Sequence, residues 1–331
     1  VNGTDIWNED VALAVDDEGP IERCRTPCVH LHVVAGSNDV RGVQAVLPGP
    51  QEVAGEQRRA ERGHLLTLLI GRSRRTRRRR ARRFSPAFSP RPPRSGVNRA
   101  VVARLWHRLM HGLGYERYGA HGGDFGAGVA TYMALLQPDR LIGIHLSTPE
   151  MWPYTGSGAP ALSIDEQSYV DHVARWDETE RGYSAVQSTR PQTLGYGLND
   201  SPAGLAAWVL DKWRSWSDSG GDLEARFGRD ALLTMLTIWW ASGSITSSMR
   251  DYYDNRWHDT PIGPSDFAAV PTAMAVFANE FVPEGQPPRS WYERLYDIRR
   301  WTVFPRGGHF AAAEEPDLLA GDIAEFFADL R

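Results

Sequence analysis

The chain has 331 residues, a hydrophobic fraction of 41% and a formal charge of -4, enough apolar side chain for one large α/β domain with an insertion or for two ordinary domains. No apolar run approaches the roughly 18 residues a membrane span needs, and no secretory leader is visible, so a cytoplasmic setting is expected. Cys24 and Cys28 are the only cysteines, too few for a disulfide framework and two ligands short of a zinc site.

The charge is unevenly spread. Arg72 to Arg83 holds nine arginines and no acid, whereas the other 319 residues carry 28 basic and 41 acidic side chains, a balance of -13. Lys212 is the only lysine. Residues 1–83 show little periodic pattern: Val29 to Val34 alternates like one short strand, and Gln57 to Leu69 has the look of a basic helix. The Arg run fits a polyanion-binding arm, a solvated linker, or out-of-frame translation through GC-rich DNA, which yields Arg, Pro, Gly and Ala in this way.

From Phe84 onward the pattern is orderly. Phe88 to Pro93 is a proline-rich loop that cannot be helical. Val97 to Gly112 follows as an amphipathic helix with Val101, Leu105, Leu109 and Met110 on one face. Tyr115 to His121 is extended in character, and Ala127 to Leu136 reads as a helix. Between them lies Gly122-Gly123-Asp124-Phe125-Gly126, a Gly-x-nucleophile-x-Gly turn whose neighbours must lack bulk. With Asp at the centre, the chemistry shifts from peptides and ordinary esters to displacement at an sp3 carbon, such as that of an epoxide or an alkyl halide.

Leu141 to Leu146 reads as a buried strand. Residues 150–265 then abandon the alternation of strand and helix: Ile164 to Arg181, Ala203 to Asp218 and Asp230 to Tyr253 are helical in pattern and Trp-rich. The alternation returns with a strand over Thr272 to Phe277, a helix over Trp291 to Tyr296, a strand over Trp301 to Phe304 and a closing helix over Leu318 to Leu330. This order predicts an α/β-hydrolase sheet, built from residues 84–149 and 266–331, with a helical cap inserted over 150–265. Residues 1–83 stand apart as an atypical segment, disordered or out of frame.

In that architecture the catalytic order is nucleophile, acid, histidine, and Asp124, Glu280 and His309 obey it. Glu280 follows an apolar strand, and His309 lies in Pro305-Arg306-Gly307-Gly308-His309-Phe310, before the last helix. Glu284 and Asp297 also fall between that strand and His309, so the acid is open among the three.

Three stretches are specific enough to carry a resemblance: Tyr118 to Gly126, then Asn199-Asp200-Ser201-Pro202-Ala203-Gly204-Leu205-Ala206-Ala207, then Pro305 to Ala312 with Glu314-Glu315-Pro316. Through them residues 84–331 resemble an epoxide hydrolase of the α/β-hydrolase superfamily, of the microsomal and juvenile-hormone type and its bacterial relatives. The resemblance implies that Asp124 attacks an epoxide carbon and forms a hydroxyalkyl ester. His309 would be the general base of its hydrolysis, with Glu280 supporting the ring and the product a vicinal diol. It implies further that two cap tyrosines, Tyr183 and Tyr252, donate to the epoxide oxygen, with Tyr253 a neighbour that competes for the second position. It implies that the backbone N–H of Phe125 is one donor of the oxyanion hole. The partners are a small hydrophobic epoxide and water. Nucleic acid is not expected, the oligomeric state is open, and with no phosphate loop, nucleotide fingerprint or metal-ligand cluster no cofactor is expected.

The resemblance breaks at one point. Such families carry His-Gly-x-Pro upstream of the elbow, whose backbone supplies the second oxyanion donor, and residues 1–83 hold no such motif. One missing donor costs about two to three decades in rate. The competing readings are a haloalkane dehalogenase, which shares the Asp and His but needs halide-binding Trp or Asn donors, and a catalytically impaired or polyanion-binding hydrolase-like protein.

Overall fold

The computed structural model describes residues 95–149, 151–280 and 287–330, and before them only the backbone of four short strands between Cys28 and Val46. The Arg run, the helix expected over Gln57 to Leu69, the proline-rich loop, Cys24 and Glu284 all lie outside the described residues.

The strands are β1 (Cys28–His30), β2 (Val33–Val34), β3 (Val40–Arg41), β4 (Gln44–Val46), β5 (Tyr118–Asp124), β6 (Leu141–Pro149), β7 (Ala268–Asn279) and β8 (Tyr296–Gly308). Six of them form a sheet in the order β4-β1-β5-β6-β7-β8. From β1 to β8 all pairings are parallel, and β4 lies antiparallel to β1. The single strand expected over Val29 to Val34 is divided: β1 joins the main sheet, while β2 pairs with β3 in a separate ribbon.

Both faces of the sheet are covered, which is why its strands are apolar at successive positions. Alternate residues of β7 make this visible. Met274 packs into one cluster with the helices α1 (Arg99–Gly112) and α2 (Phe125–Leu136), and Ala273, Ala275 and Phe277 pack into another with α12, the closing helix (Pro316–Ala328). The buried stripe of α1 differs from the expected one. It consists of Ala100, Ala103, His107 and Met110, while Leu105 is 41% exposed. Small residues let α1 approach α2 closely, so side-chain bulk was a poor guide to the inward face.

Between β6 and β7 run α3 (Ile164–Glu180), α4 (Gly182–Thr189), α5 (Pro191–Asp200), α6 (Pro202–Trp216), α7 (Leu223–Phe227), α8 (Arg229–Ser242) and α9 (Ile245–Trp257). The Asn-Asp-Ser-Pro stretch explains one joint. Ser201 closes α5 and accepts a hydrogen bond from the Gly204 N–H at 3.0 Å, and Pro202 opens α6 with the φ a first turn requires. The helix expected over Asp230 to Tyr253 is two helices, because Gly243 takes the left-handed conformation at φ 61° and ends α8. Leu198, Leu205, Val209, Trp239, Ile245 and Met249 give this helical group its own buried cluster.

Three helices follow β7: α10 (Arg289–Glu293) and, after β8, α11 (Ala311–Glu314) and α12. The helix expected over Trp291 to Tyr296 therefore stops early, and Tyr296 already belongs to β8. Among the described residues no helix is long and apolar enough to cross a membrane.

Candidate active site

The parallel order of β5, β6, β7 and β8 brings their carboxyl ends side by side, the usual place for a site in an α/β sheet. Asp124 ends β5, Pro149 ends β6, Glu280 follows the last residue of β7, and His309 follows the last residue of β8.

Asp124 is at φ 52° and ψ -125°, between strand and helix. Such a bend leaves no room for side chains around it: a Cβ on Gly122 would lie 2.1 Å from the carbonyl oxygen of Gly126, the two outer glycines of the turn meeting across it. The bend also places the Phe125 N–H 2.5 Å from Asp124 Oδ1. The other oxygen, Oδ2, is 2.9 Å from His309 Nε2. His309 Nδ1 is 2.7 Å from Glu280 Oε1, and Glu280 Oε2 accepts a 2.5 Å hydrogen bond from the Thr148 hydroxyl. Thr148 is held at φ 49°. A line of contacts thus runs from Asp124 to the His309 imidazole, the Glu280 carboxylate and the Thr148 hydroxyl, with the His309 side chain only 1% exposed.

Burial alone would lower the His309 pKa, but the carboxylates of Glu280 and Asp124, one at each ring nitrogen, outweigh it and hold the imidazole well above its ordinary value. Each ring nitrogen thus faces a carboxylate oxygen, an arrangement that favours the charged ring.

The histidine loop is pinned from behind. Glu314, buried, accepts from the N–H groups of Asp218 (2.7 Å), Phe310 (2.9 Å) and Gly308 (3.1 Å). The His309 N–H donates to the Trp216 carbonyl at 2.9 Å, and the Gly307 N–H donates to Asp218 Oδ2 at 2.9 Å. A Cβ on Gly308 would come within 2.8 Å of the carbonyls of Asn279 and Trp216, so this loop passes where only glycine fits.

Of the two tyrosines, Tyr252 on α9 lies edge-to-face on Phe125 with ring centroids 4.9 Å apart. Tyr183 on α4 meets Tyr252 at 6.1 Å and Trp216 at 5.1 Å, and Trp216 in turn packs on His309 at 5.2 Å. An aromatic arc therefore joins Phe125 to His309. Tyr253 faces away, against Trp257 and Arg250. Asp297 lies at the start of β8, paired with Arg299 at 2.8 Å. It is on a strand and at the end remote from His309.

Four residues near the site carried no sequence signal that singled them out. Thr148 lies beyond the stretch read as a strand from sequence, although it falls within β6, Trp216 is one of twelve tryptophans, and Arg99, whose guanidinium lies 4.5 Å from the Phe125 ring centroid, begins α1. Glu314 stands in a stretch that carried the family resemblance, but its role as acceptor for three backbone donors is visible only in three dimensions. Among the described residues no cluster of His, Cys, Asp or Glu could hold a metal ion.

The fold and the side chains on it define an α/β-hydrolase whose elbow carries aspartate in place of serine. Comparison with known proteins narrows this. The chain is 33% identical over 266 residues to Epoxide hydrolase 1 of Sus scrofa, covering 72% of this chain and 57% of that protein. It is 34% identical over 259 residues to Juvenile hormone epoxide hydrolase 2 of Ctenocephalides felis, covering 71% and 55%. The crystal structure of juvenile hormone epoxide hydrolase from the silkworm Bombyx mori matches with a TM-score of 0.60 and 29% identity, over 72% of this chain and 60% of that one. No family model matches the chain. Over the matched region the chain is homologous to these epoxide hydrolases and shares their α/β-hydrolase fold, and it spans about half the length of the curated relatives it matches.

Proposed function

We propose that the protein hydrolyses a small hydrophobic epoxide to a vicinal diol, through an ester formed on Asp124. The observation that carries this reading is the contact line from Asp124 Oδ2 through both nitrogens of His309 to Glu280, with two phenols in the helices after β6.

In the proposed sequence the two oxygens of Asp124 have separate tasks. Oδ2 attacks the epoxide carbon from the side opposite the ring oxygen. As the carbon–oxygen bond breaks, Tyr183 and Tyr252 donate to the leaving alkoxide and one phenol supplies its proton. Oδ1, held by the Phe125 N–H, becomes the ester carbonyl oxygen and later the oxyanion, already at its donor.

Esterification also switches the histidine. An ester carries no charge, so one of the two carboxylates that hold the imidazole protonated is lost and its pKa falls, with Glu280 alone remaining. The imidazole can then give up its proton and take one from the hydrolytic water. Water attacks the ester carbon, the acyl bond breaks, the original Oδ2 takes the second proton of that water and leaves in the diol, and the water oxygen remains on Asp124. Glu280, fixed by Thr148, stabilises the imidazolium that reforms.

The reading takes residues 150–265 as a cap on a core made of 84–149 and 266–331, needs no cofactor, and sets the protein in the cytoplasm, as its two cysteines suit. Two phenols suit an alkoxide better than a halide, which sets a dehalogenase second. Diol formation from a panel of epoxides, with a chloroalkane and Asp124→Ala alongside, tests the reading. Diol from the unaltered chain and none from the variant is the expected result, and equal diol from both would overturn it.

A further inference from the structure

The proposed reaction uses two phenols and leaves a nearby cation without a part. Lys212, the only lysine in the chain, lies on α6 one turn before Trp216. Its ammonium is 5.2 Å from the centroid of the Tyr183 ring and 5.9 Å from that of Trp216. The Lys212 side chain is 13% exposed, whereas its ion-pair partner Asp211, 2.8 Å away, is 66% exposed. Water therefore screens the carboxylate far more than it screens the ammonium.

We propose that Lys212 is a positioning residue that acts through Tyr183, holding the phenol ring over the site and making its hydroxyl a stronger donor to the epoxide oxygen. The inference rests on the assignment of Tyr183 as a donor. A cation near the face of a phenol attracts its π electrons. When the hydroxyl gives up its proton, the charge left on the oxygen spreads into the ring, and the attraction grows. Lys212 therefore stabilises the ring-opening transition state more than the bound substrate, which is the condition for raising a rate. In that step the bond from Asp124 Oδ2 to carbon forms as the epoxide carbon–oxygen bond breaks. The phenol proton passes to the alkoxide, and solvent water returns a proton to the phenolate before the next turnover. Hydrolysis of the ester does not involve the phenol, so Lys212 has no influence there.

The distinguishing experiment is single-turnover kinetics on the full chain, with ester formation and ester decay followed separately, for the unaltered protein, Lys212→Met, Lys212→Arg, Tyr183→Phe and the double variant Tyr183→Phe/Lys212→Met. Methionine keeps much of the stem's packing and loses the charge. Lys212→Met should slow ester formation about tenfold and leave ester decay unchanged, Lys212→Arg should restore most of the loss, and the methionine should cost nothing further when Tyr183 is already Phe. The proposal is overturned if Lys212→Met forms ester at the unaltered rate, if it costs the same in the Tyr183→Phe background, or if both steps slow together with a lower melting temperature, the mark of packing alone. Tyr183→Phe forming ester at full rate would instead remove Tyr183 from the reaction and the inference with it.

Discussion

Glu280→Gln gives the sharpest view of how charge is used in this site. The carboxylate contacts His309 Nδ1 at 2.7 Å and Thr148 at 2.5 Å, and glutamine keeps the shape and the Thr148 contact while removing the charge. Before reaction, Asp124 still supplies one carboxylate to the imidazole, so ester formation should change little. After esterification Glu280 is the only carboxylate at the ring. Leaving an imidazolium buried without its partner costs about 3–4 kcal/mol, which is two to three decades in the rate of ester hydrolysis. Mixing the variant with excess epoxide, quenching with acid and weighing the protein should show a stable hydroxyalkyl adduct, with epoxide consumption stopping at one equivalent and almost no diol released on the time scale of normal turnover. If formation and decay of the adduct slow by the same factor, or if decay is unaffected, the division of labour between the two carboxylates is wrong.

Other consequences are open to simpler tests. Tyr183→Phe and Tyr252→Phe should each reduce ester formation about tenfold or more while sparing ester decay, read in the same single-turnover assay. Gly122→Ala puts a methyl 2.1 Å from the Gly126 carbonyl and should abolish the turn, seen as loss of soluble folded protein or of the thermal transition. Glu314→Ala strips three backbone donors of their acceptor and should lower stability by about 2–3 kcal/mol, measured by urea unfolding, with activity falling as the His309 loop loosens. Arg294 bonds to Glu166 and holds its pKa down to about 2 from 4.5, in a pair whose carboxylate is only 3% exposed. The sign follows from a depressed acid: this stability is complete above pH 4.5 and is lost as the pH falls toward about 2. Glu166→Gln should cost about 3 kcal/mol at pH 7 and flatten the acid limb of the stability curve.

The order of strands and helices was legible because apolar runs and periodicity record burial. The alternation of strand and helix, the run of helices between β6 and β7 and the bend at Asp124 all follow from residues read in sequence. Partner choice was not legible. Nothing in Val29 to Val34 says that β1 joins β5 while β2 pairs elsewhere, since pairing depends on what lies across the gap. The buried stripe of α1 was misread because alanine and histidine pack inward where leucine was expected. Chain order left three candidate acids. The structure places Glu280 on His309 and Asp297 on Arg299, and Glu284 lies outside the described residues. Tyr252 and Tyr253 are adjacent in sequence but point apart on α9, one toward Phe125 and the other toward Trp257. Glu314 and Thr148 were invisible in their roles, because a buried acceptor is defined by the donors that converge on it from distant segments.

The central claim is that a side-chain carboxylate becomes an ester and is released by attack of water on its own carbon. A single turnover in water enriched in heavy oxygen, followed by mass spectrometry of the peptide carrying Asp124, tests it directly. Heavy oxygen in the Asp124 carboxylate and an unlabelled diol are expected. Label in the diol with none in Asp124 would mean that water opens the epoxide itself.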